Sequence, residues 1–265
     1  MRSQFAVLLG NEIRKATRRK LPYFGFLVVA LLCAIVYFVA GQLSTAATAN
    51  AWGYTAFSME IVFNDLGPIF IIVFSAMSLA EETGSGTIRA ALAAPVQRWE
   101  LYAAKAVVGL LHTAVLSAVA LACSLVMAGI HYRFGAVGDT YGVVYPRAQV
   151  LQAFALGYGL SWIPLGAMTM YGLFLSTVVR SPGAAVAVGI GMFFLIEFTK
   201  HLVGLDPFLF TRYLEYSWLV LQQIAQGMDY HWQPEVWKMA GLSGAYAIAL
   251  FVAGLVIFVR QDLNK

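Results

Sequence analysis

Leu21-Pro22-Tyr23-Phe24-Gly25-Phe26-Leu27-Val28-Val29-Ala30-Leu31-Leu32-Cys33-Ala34-Ile35-Val36-Tyr37-Phe38-Val39-Ala40-Gly41 follows directly on Arg18-Arg19-Lys20. This stretch decides the fold. Crossing the hydrocarbon core of a bilayer takes about 20 apolar residues in a helix, and no charged residue occurs from Leu21 until Glu60. Working outward, the same pattern recurs in charge-free runs over Leu66–Ala80, Ala106–Tyr132, Ala148–Val179, Ser181–Ile196 and Met239–Val259. The second and fifth of these six runs reach spanning length only by taking in polar residues at one end. Sixty per cent of the chain is hydrophobic and 11% is charged, against roughly a quarter charged in ordinary soluble domains.

The runs predict six membrane spans near 22–41, 60–80, 106–129, 151–178, 183–203 and 239–259. In lipid the backbone must satisfy its own hydrogen bonds, so runs of this length are helical. Alternating segments of about ten residues, as in a membrane barrel, do not occur. The expected fold is therefore all-α and polytopic, a single transmembrane domain over residues 1–265.

Lys and Arg set the orientation. With the N-terminus in the cytoplasm, the inner segments carry twelve of them (Arg2, Arg14, Lys15, Arg18, Arg19, Lys20, Arg89, Arg98, Lys105, Arg180, Arg260 and Lys265), and the outer segments carry five (Arg133, Arg147, Lys200, Arg212 and Lys238). Both termini are expected on the cytoplasmic side of the cell membrane. The net charge of +4 then belongs to the membrane surface, and nucleic acid need not be invoked as a partner. The basic leader and the full-length first run predict an uncleaved anchor. Cys33 and Cys123 fall within spans as small apolar packers.

Several segments between the spans carry information. In the leader, 1–20, Phe5, Leu9, Ile13 and Ala16 recur at helical spacing with Leu8 alongside, and the basic residues gather at the far end. That pattern predicts an amphipathic helix lying in the interface, against the plainer reading of a topology signal. Residues 81–105 begin Glu81-Glu82-Thr83-Gly84-Ser85-Gly86-Thr87-Ile88-Arg89, and Leu92 and Pro95 follow. The glycines and hydroxyls end one helix and cap another. Ile88 and Leu92 share a face, and Pro95 limits the segment to about two turns. So short a helix is marginal alone in water. It is explained either by docking in a partner's groove, with Glu82 and Arg89 at the rim, or by packing on its own span ends. Arg180-Ser181-Pro182-Gly183 reads as a tight turn or as a second, smaller partner contact. The aromatic outer segment 205–238 reads as short re-entrant helices or as an interfacial belt.

Ionisable residues at span edges are functional candidates by default. Glu60 and Asp65, and Glu197, Lys200 and His201, are the candidates for a pathway or outer gate. The last three are spaced to pair with one another. His112 reads as a satisfied interior histidine.

Catalytic machinery is not evident in the sequence. There is no phosphate-binding G-x-x-x-x-G-K-[ST] loop and no Gly-Lys dipeptide, so any ATP hydrolysis belongs to another chain. Gly241-Leu242-Ser243-Gly244 with Tyr246 is similar to the serine box of rhomboid proteases, yet no histidine follows Ser243. Glu81-Glu82 is too far from Arg89 for a CAAX-type protease. No cofactor-binding, zinc-ligand or nucleophile–base cluster emerges.

Together Glu81-Glu82, Gly86-Thr87-Ile88-Arg89, Leu92, Pro95-Val96, Arg98 and Lys105 resemble the permease subunits of type-2 ABC transporters. Those show an acidic pair, Gly-Thr, a short helix, Pro-Val-Ser-Arg and a Lys opening the third span. Here Gln97 stands where Ser is usual, and extra glycine and serine positions precede Thr87. The resemblance implies a dimer with a second permease copy or homologue, each bound to a cytoplasmic ABC ATPase subunit that holds ATP and Mg. It makes the leader an elbow helix and residues 81–105 a coupling loop. Thr87, Ile88, Arg89 and Leu92 would contact the ATPase, Glu81 and Glu82 would orient the loop, and Pro95 would set the angle to span three. The implied function is export driven by the partner's ATP hydrolysis. The alternatives are a membrane partner that passes ATPase motion to an extracytoplasmic protein, and an intramembrane hydrolase.

Overall fold

The computed structural model describes residues 4–43, 50–87, 97–139 and 142–261. Helix α1, Gln4–Arg18, stops at Arg19, and α2, Lys20–Leu43, begins at once. Span two is a compound helix made of α3, Ala51–Ile61, a π-turn at Val62–Leu66, and α4, Gly67–Gly84. There follow α5, Arg98–His131; a hairpin of β1, Val137–Asp139, and β2, Gly142–Tyr145; α6, Arg147–Val178; and α7, Pro182–Val203. Two 3-10 turns at Asp206–Phe208 and Phe210–Tyr213 lead to α8, Tyr216–Ala225, and then to α9, Glu235–Arg260. Six helices are long and apolar enough to cross a membrane. The chain is a polytopic all-α membrane protein, and the antiparallel β1–β2 hairpin is a local exception.

Span two differs from its expected bounds. It begins at Ala51 rather than near 60, because Asn50 caps it: its side chain accepts from the Gly53 N–H at 2.9 Å. The residues Trp52, Tyr54 and Met59 are buried, so the polar-looking stretch before Glu60 is core. The π-turn has a local cause. Pro68 has no N–H to give the Asn64 carbonyl, and its ring needs room there. Gly67 is required as well, since a Cβ on it would lie 2.8 Å from the Val62 carbonyl oxygen.

Helix α6 is the hub and packs on α4, α5, α7, α8 and α9. Close approach uses small residues. A Cβ on Gly172 would meet Ser75 at 2.7 Å, one on Gly189 would meet Ile72 at 2.7 Å, and one on Gly157 would meet Leu221 at 2.8 Å. Gly159, Gly183 and Gly191 face open space and Gly166 has ordinary contact, so only some glycines of α6 and α7 serve close packing.

The two ends of the bundle are built differently. At the basic end, Arg98 donates to the carbonyls of Val259 (3.0 Å) and Gln261 (2.7 Å), and Gln261 donates to the Thr177 carbonyl at 2.6 Å. Gly84 lies beside the Arg180 carbonyl, so α1, the ends of α4, α6 and α9 and the start of α5 converge there. At the far end, Asn50 donates to the Ala225 carbonyl at 2.7 Å and Trp52 to that of Gly135 at 2.9 Å. Tyr213, Leu214, Trp218 and Leu221 are buried, while Phe208 is exposed. Most of the aromatic outer segment is therefore packed into the bundle between α3 and α6.

Candidate functional site: an ion-pair network at the root of the 81–105 loop

Helix α4 ends where its sequence stops supporting an α-helix. Gly86 takes φ +72°, the left-handed conformation that closes helices. Ser85 donates its hydroxyl to the Glu81 carbonyl at 2.6 Å and lies 2.9 Å from the Thr87 hydroxyl. On the far side of the loop, α5 opens with a capping box: the Gln97 N–H donates to Glu100 Oε2 at 2.9 Å, and Gln97 returns a side-chain cap. Gln97 thus takes part in the cap at the position where the resemblance implies serine. The positions Ile88, Arg89, Leu92 and Pro95 lie outside the described residues.

Between these two ends sits Lys105, only 3% exposed. Its ammonium donates to Glu12 Oε2 at 2.9 Å and to the Ser78 carbonyl at 3.0 Å, and it lies 2.9 Å from Glu82 Oε1. Lys15 completes the set, 2.6 Å from Glu12 Oε1 and 3.2 Å from Glu82 Oε1. Two carboxylates thus face two ammoniums across three helices, with no net charge. Arg19 adds a second tie, 2.6 Å from Glu81 Oε2. Buried charges are tolerable only when paired and hydrogen-bonded. Here the pairing fixes α1 to both stems of the loop.

The electrostatics follow from burial and partners. Burial pushes the Glu12 carboxyl up, but Lys105 and Lys15 more than offset it, so the net displacement is below its ordinary value. Burial pushes the Lys15 ammonium down, yet Glu12 and Glu82 hold it above its usual range.

Sequence reasoning identified Glu81, Glu82 and Lys105 but missed Glu12 and Lys15 as their partners. The apolar spacing placed Phe5, Leu9, Ile13 and Ala16 on one face of the leader. In the structure Leu8 packs beside Leu79 and Leu101, Glu12 is turned inward, and Ile13 is 36% exposed. The available signal was that Glu12 is the one acidic residue in a basic leader. Arg98, grouped with the partner-contact residues, is engaged by carbonyls at the end of α9.

The far-end candidates divide. Glu60 accepts a short hydrogen bond from the Gln222 side chain. Lys200, 5% exposed, pairs with Glu197 at 2.7 Å and approaches Asp206 at 3.9 Å, and Arg212 stands 3.4 Å from Asp206. Glu215, not anticipated from sequence, lies within electrostatic reach of Glu60, Glu197, Lys200 and Asp206. Burial pushes its carboxyl up, with Lys200 opposing. Asp65 is exposed on the π-turn, and the His201 side chain lies outside the described residues. Among the described residues no His, Cys, Asp and Glu group has metal-site geometry. Ser243 is fully buried with no hydrogen-bond partner among them, and Tyr246 donates to the Phe208 carbonyl. Among the described residues Ser243 has no base paired with its hydroxyl.

Six helices long and apolar enough to cross a membrane, with a polar loop whose stems are tied to a basic leader, define a polytopic membrane protein. A family profile described as ABC-2 family transporter protein matches residues 8–199, and the chain belongs to that family. It is a multi-pass protein of the cell membrane. The family implies an ABC ATPase partner and a dimeric arrangement, and its membrane subunits are generally non-catalytic. No curated protein matches the chain significantly.

Proposed function

We propose that this chain is the permease subunit of an ABC exporter, driven through its 81–105 loop by a separate cytoplasmic ATPase that holds ATP and Mg. One observation carries the reading: Glu12, Lys15, Glu82 and Lys105 lock α1, α4 and α5 together where the loop leaves the bundle. A push on Ile88 and Leu92 reaches the bundle through the two stems of the loop. With both stems tied to α1, it is delivered to two spans as one body, and the tied α1 acts as an interfacial elbow. The Lys and Arg distribution supports a cytoplasmic position for that end and for both termini. Reversing a two-state bundle takes about 5.5 kcal/mol of differential binding, well within what nucleotide-driven closure of two ATPases supplies.

On this reading a second permease copy or homologue completes the pathway. Glu60, Asp65, Glu197, Lys200 and His201 then line or gate its outer half. The test is co-purification of the tagged chain with its ATPase. Each of Ile88 and Leu92 would bury about 1.5–3 kcal/mol of apolar surface in the partner. Ile88→Asp or Leu92→Asp is expected to abolish the complex, while Glu60→Gln retains it. Retention by both aspartate variants would refute the docking role. ATP turnover that does not respond to any exported substrate would favour passage of motion to an extracytoplasmic protein.

A further inference from the structure

A second feature of α1 lies outside the ion-pair network. Where α1 leans over the bundle it closes an apolar cavity of about 400 Å³ with α2, α4 and α5, within the roughly 300–1,000 Å³ typical of ligand sites. Ile13, Ala16 and Thr17 form one wall, Phe26 and Phe74 the depth, and Leu111 and Val115 the side open to lipid. His112 also lines the cavity. It is 8% exposed and stacked between Phe26 and Phe74, at ring-centre distances of 5.4 and 3.9 Å. It has no hydrogen-bond partner among the described residues, so it is not the satisfied interior histidine that its position in the sequence suggests. An imidazole that lines an otherwise apolar cavity and makes no hydrogen bond among the described residues suits a ligand that brings a polar atom with its hydrocarbon.

The rim supplies the charge. Helix α1 splits its cations: Lys15 and Arg19 turn inward to carboxylates, whereas Arg14 and Arg18 are exposed, as is Lys20 at the start of α2. These three have no acidic partner among the described residues. Arg14 flanks Ile13, Arg18 flanks Thr17, and Tyr23 bonds the Thr17 carbonyl at 2.9 Å beside them. Along α5, His112 lies about 10 Å beyond Lys105 at 1.5 Å per residue, on the side of the basic end that faces the bilayer interior.

We propose that this cavity is a binding site for one anionic phospholipid of the surrounding bilayer. An acyl chain occupies the space between α1 and the bundle, an ester oxygen meets His112, and the headgroup lies on Arg14, Arg18 and Lys20. The lipid would act as a wedge that sets the angle of α1.

The probes are phosphatidylglycerol and phosphatidylcholine, offered in equal amounts to the purified full chain in detergent, with retained lipid read by native mass spectrometry. The wild type is expected to hold a stoichiometric phosphatidylglycerol per chain in preference to phosphatidylcholine. Arg14→Gln/Arg18→Gln/Lys20→Gln removes only exposed charges and is expected to weaken retention on the order of a hundredfold. Val115→Trp, and independently Leu111→Trp, fills the open side and is expected to displace phosphatidylglycerol with the rim charges intact. Equal retention of the two lipids would mean annular lipid only and overturn the proposal. So would wild-type retention in the charge variant or in both tryptophan variants.

Discussion

Removing Lys105 tests the network at its most buried point. Lys105→Met preserves the volume of the side chain but leaves Glu12 and Glu82 facing only Lys15. Side-chain exposures of 2%, 6% and 9% for Lys105, Glu12 and Glu82 mark a desolvated set, whereas Lys15 at 48% is half in solvent. Breaking a buried pair by deleting one partner costs about 3–5 kcal/mol. Lys15 compensates weakly, since exposed pairs contribute about 0–1 kcal/mol, so the expected loss is about 3 kcal/mol. For a chain of this size that corresponds to a fall in Tm of roughly 6–12 °C, measured by thermal unfolding in detergent at neutral pH. The informative comparison is Glu12→Gln/Lys105→Met, which removes one charge of each sign and leaves Glu82 with Lys15. Its melting temperature should lie above that of Lys105→Met alone, with a coupling of about 0.5–3 kcal/mol. If the double variant melts below the single one by the full independent cost of Glu12→Gln, the four residues do not act as a unit.

Further outcomes follow from the same geometry. Glu12 is held below its ordinary value of 4.5 in the folded chain, so its stabilisation is complete above that pH and is lost as pH falls through the folded value. A spin label at the exposed Asn11 should gain mobility only on acidification below that point, and Glu12→Gln should remove the transition. Gly254→Ala drives a Cβ into the Tyr102 hydroxyl and should cost about 1–3 kcal/mol by overpacking. Adding Tyr102→Phe should restore most of that loss in the same melting assay, since the hydroxyl is buried without a partner. Asn50→Ala removes both the cap of α3 and the tie to Ala225 and should cost about 1–2 kcal/mol. Asn50→Asp should recover the capping part alone.

The spans were legible because lipid leaves so few solutions to a long charge-free run; Leu21–Gly41 could be little else. Span two was legible only in its inner half. Thr55 and Ser58 fell outside the expected span at 60–80, but in the structure Thr55 bonds the Ala51 carbonyl at 2.8 Å and Ser58 lies 2.9 Å from Ser124. Hydroxyls satisfied inside a bundle give the same sequence signal as hydroxyls in water. The π-turn was not anticipated, although Gly67-Pro68 carries its local cause, a proline that an uninterrupted α-helical ladder does not accommodate. The loop stems were legible through Glu81-Glu82, Gly86 and Gln97, because capping is local. The network was not, because Lys105 and Glu12 are 93 residues apart and nothing in either neighbourhood names the other. Glu215 was hidden for the same reason, since its neighbours come from α3, α7 and the 3-10 turns.

The claim that work enters through the loop is tested most directly by cross-linking. In a chain with Cys33→Ala and Cys123→Ala, Thr87→Cys should form a disulfide with a cysteine placed in the facing groove of the ATPase. Locking that contact should suppress transport while the reduced complex remains active. Full transport by the purified chain without any ATPase, or unimpaired transport with no cross-link formed in the working assembly, would contradict the account.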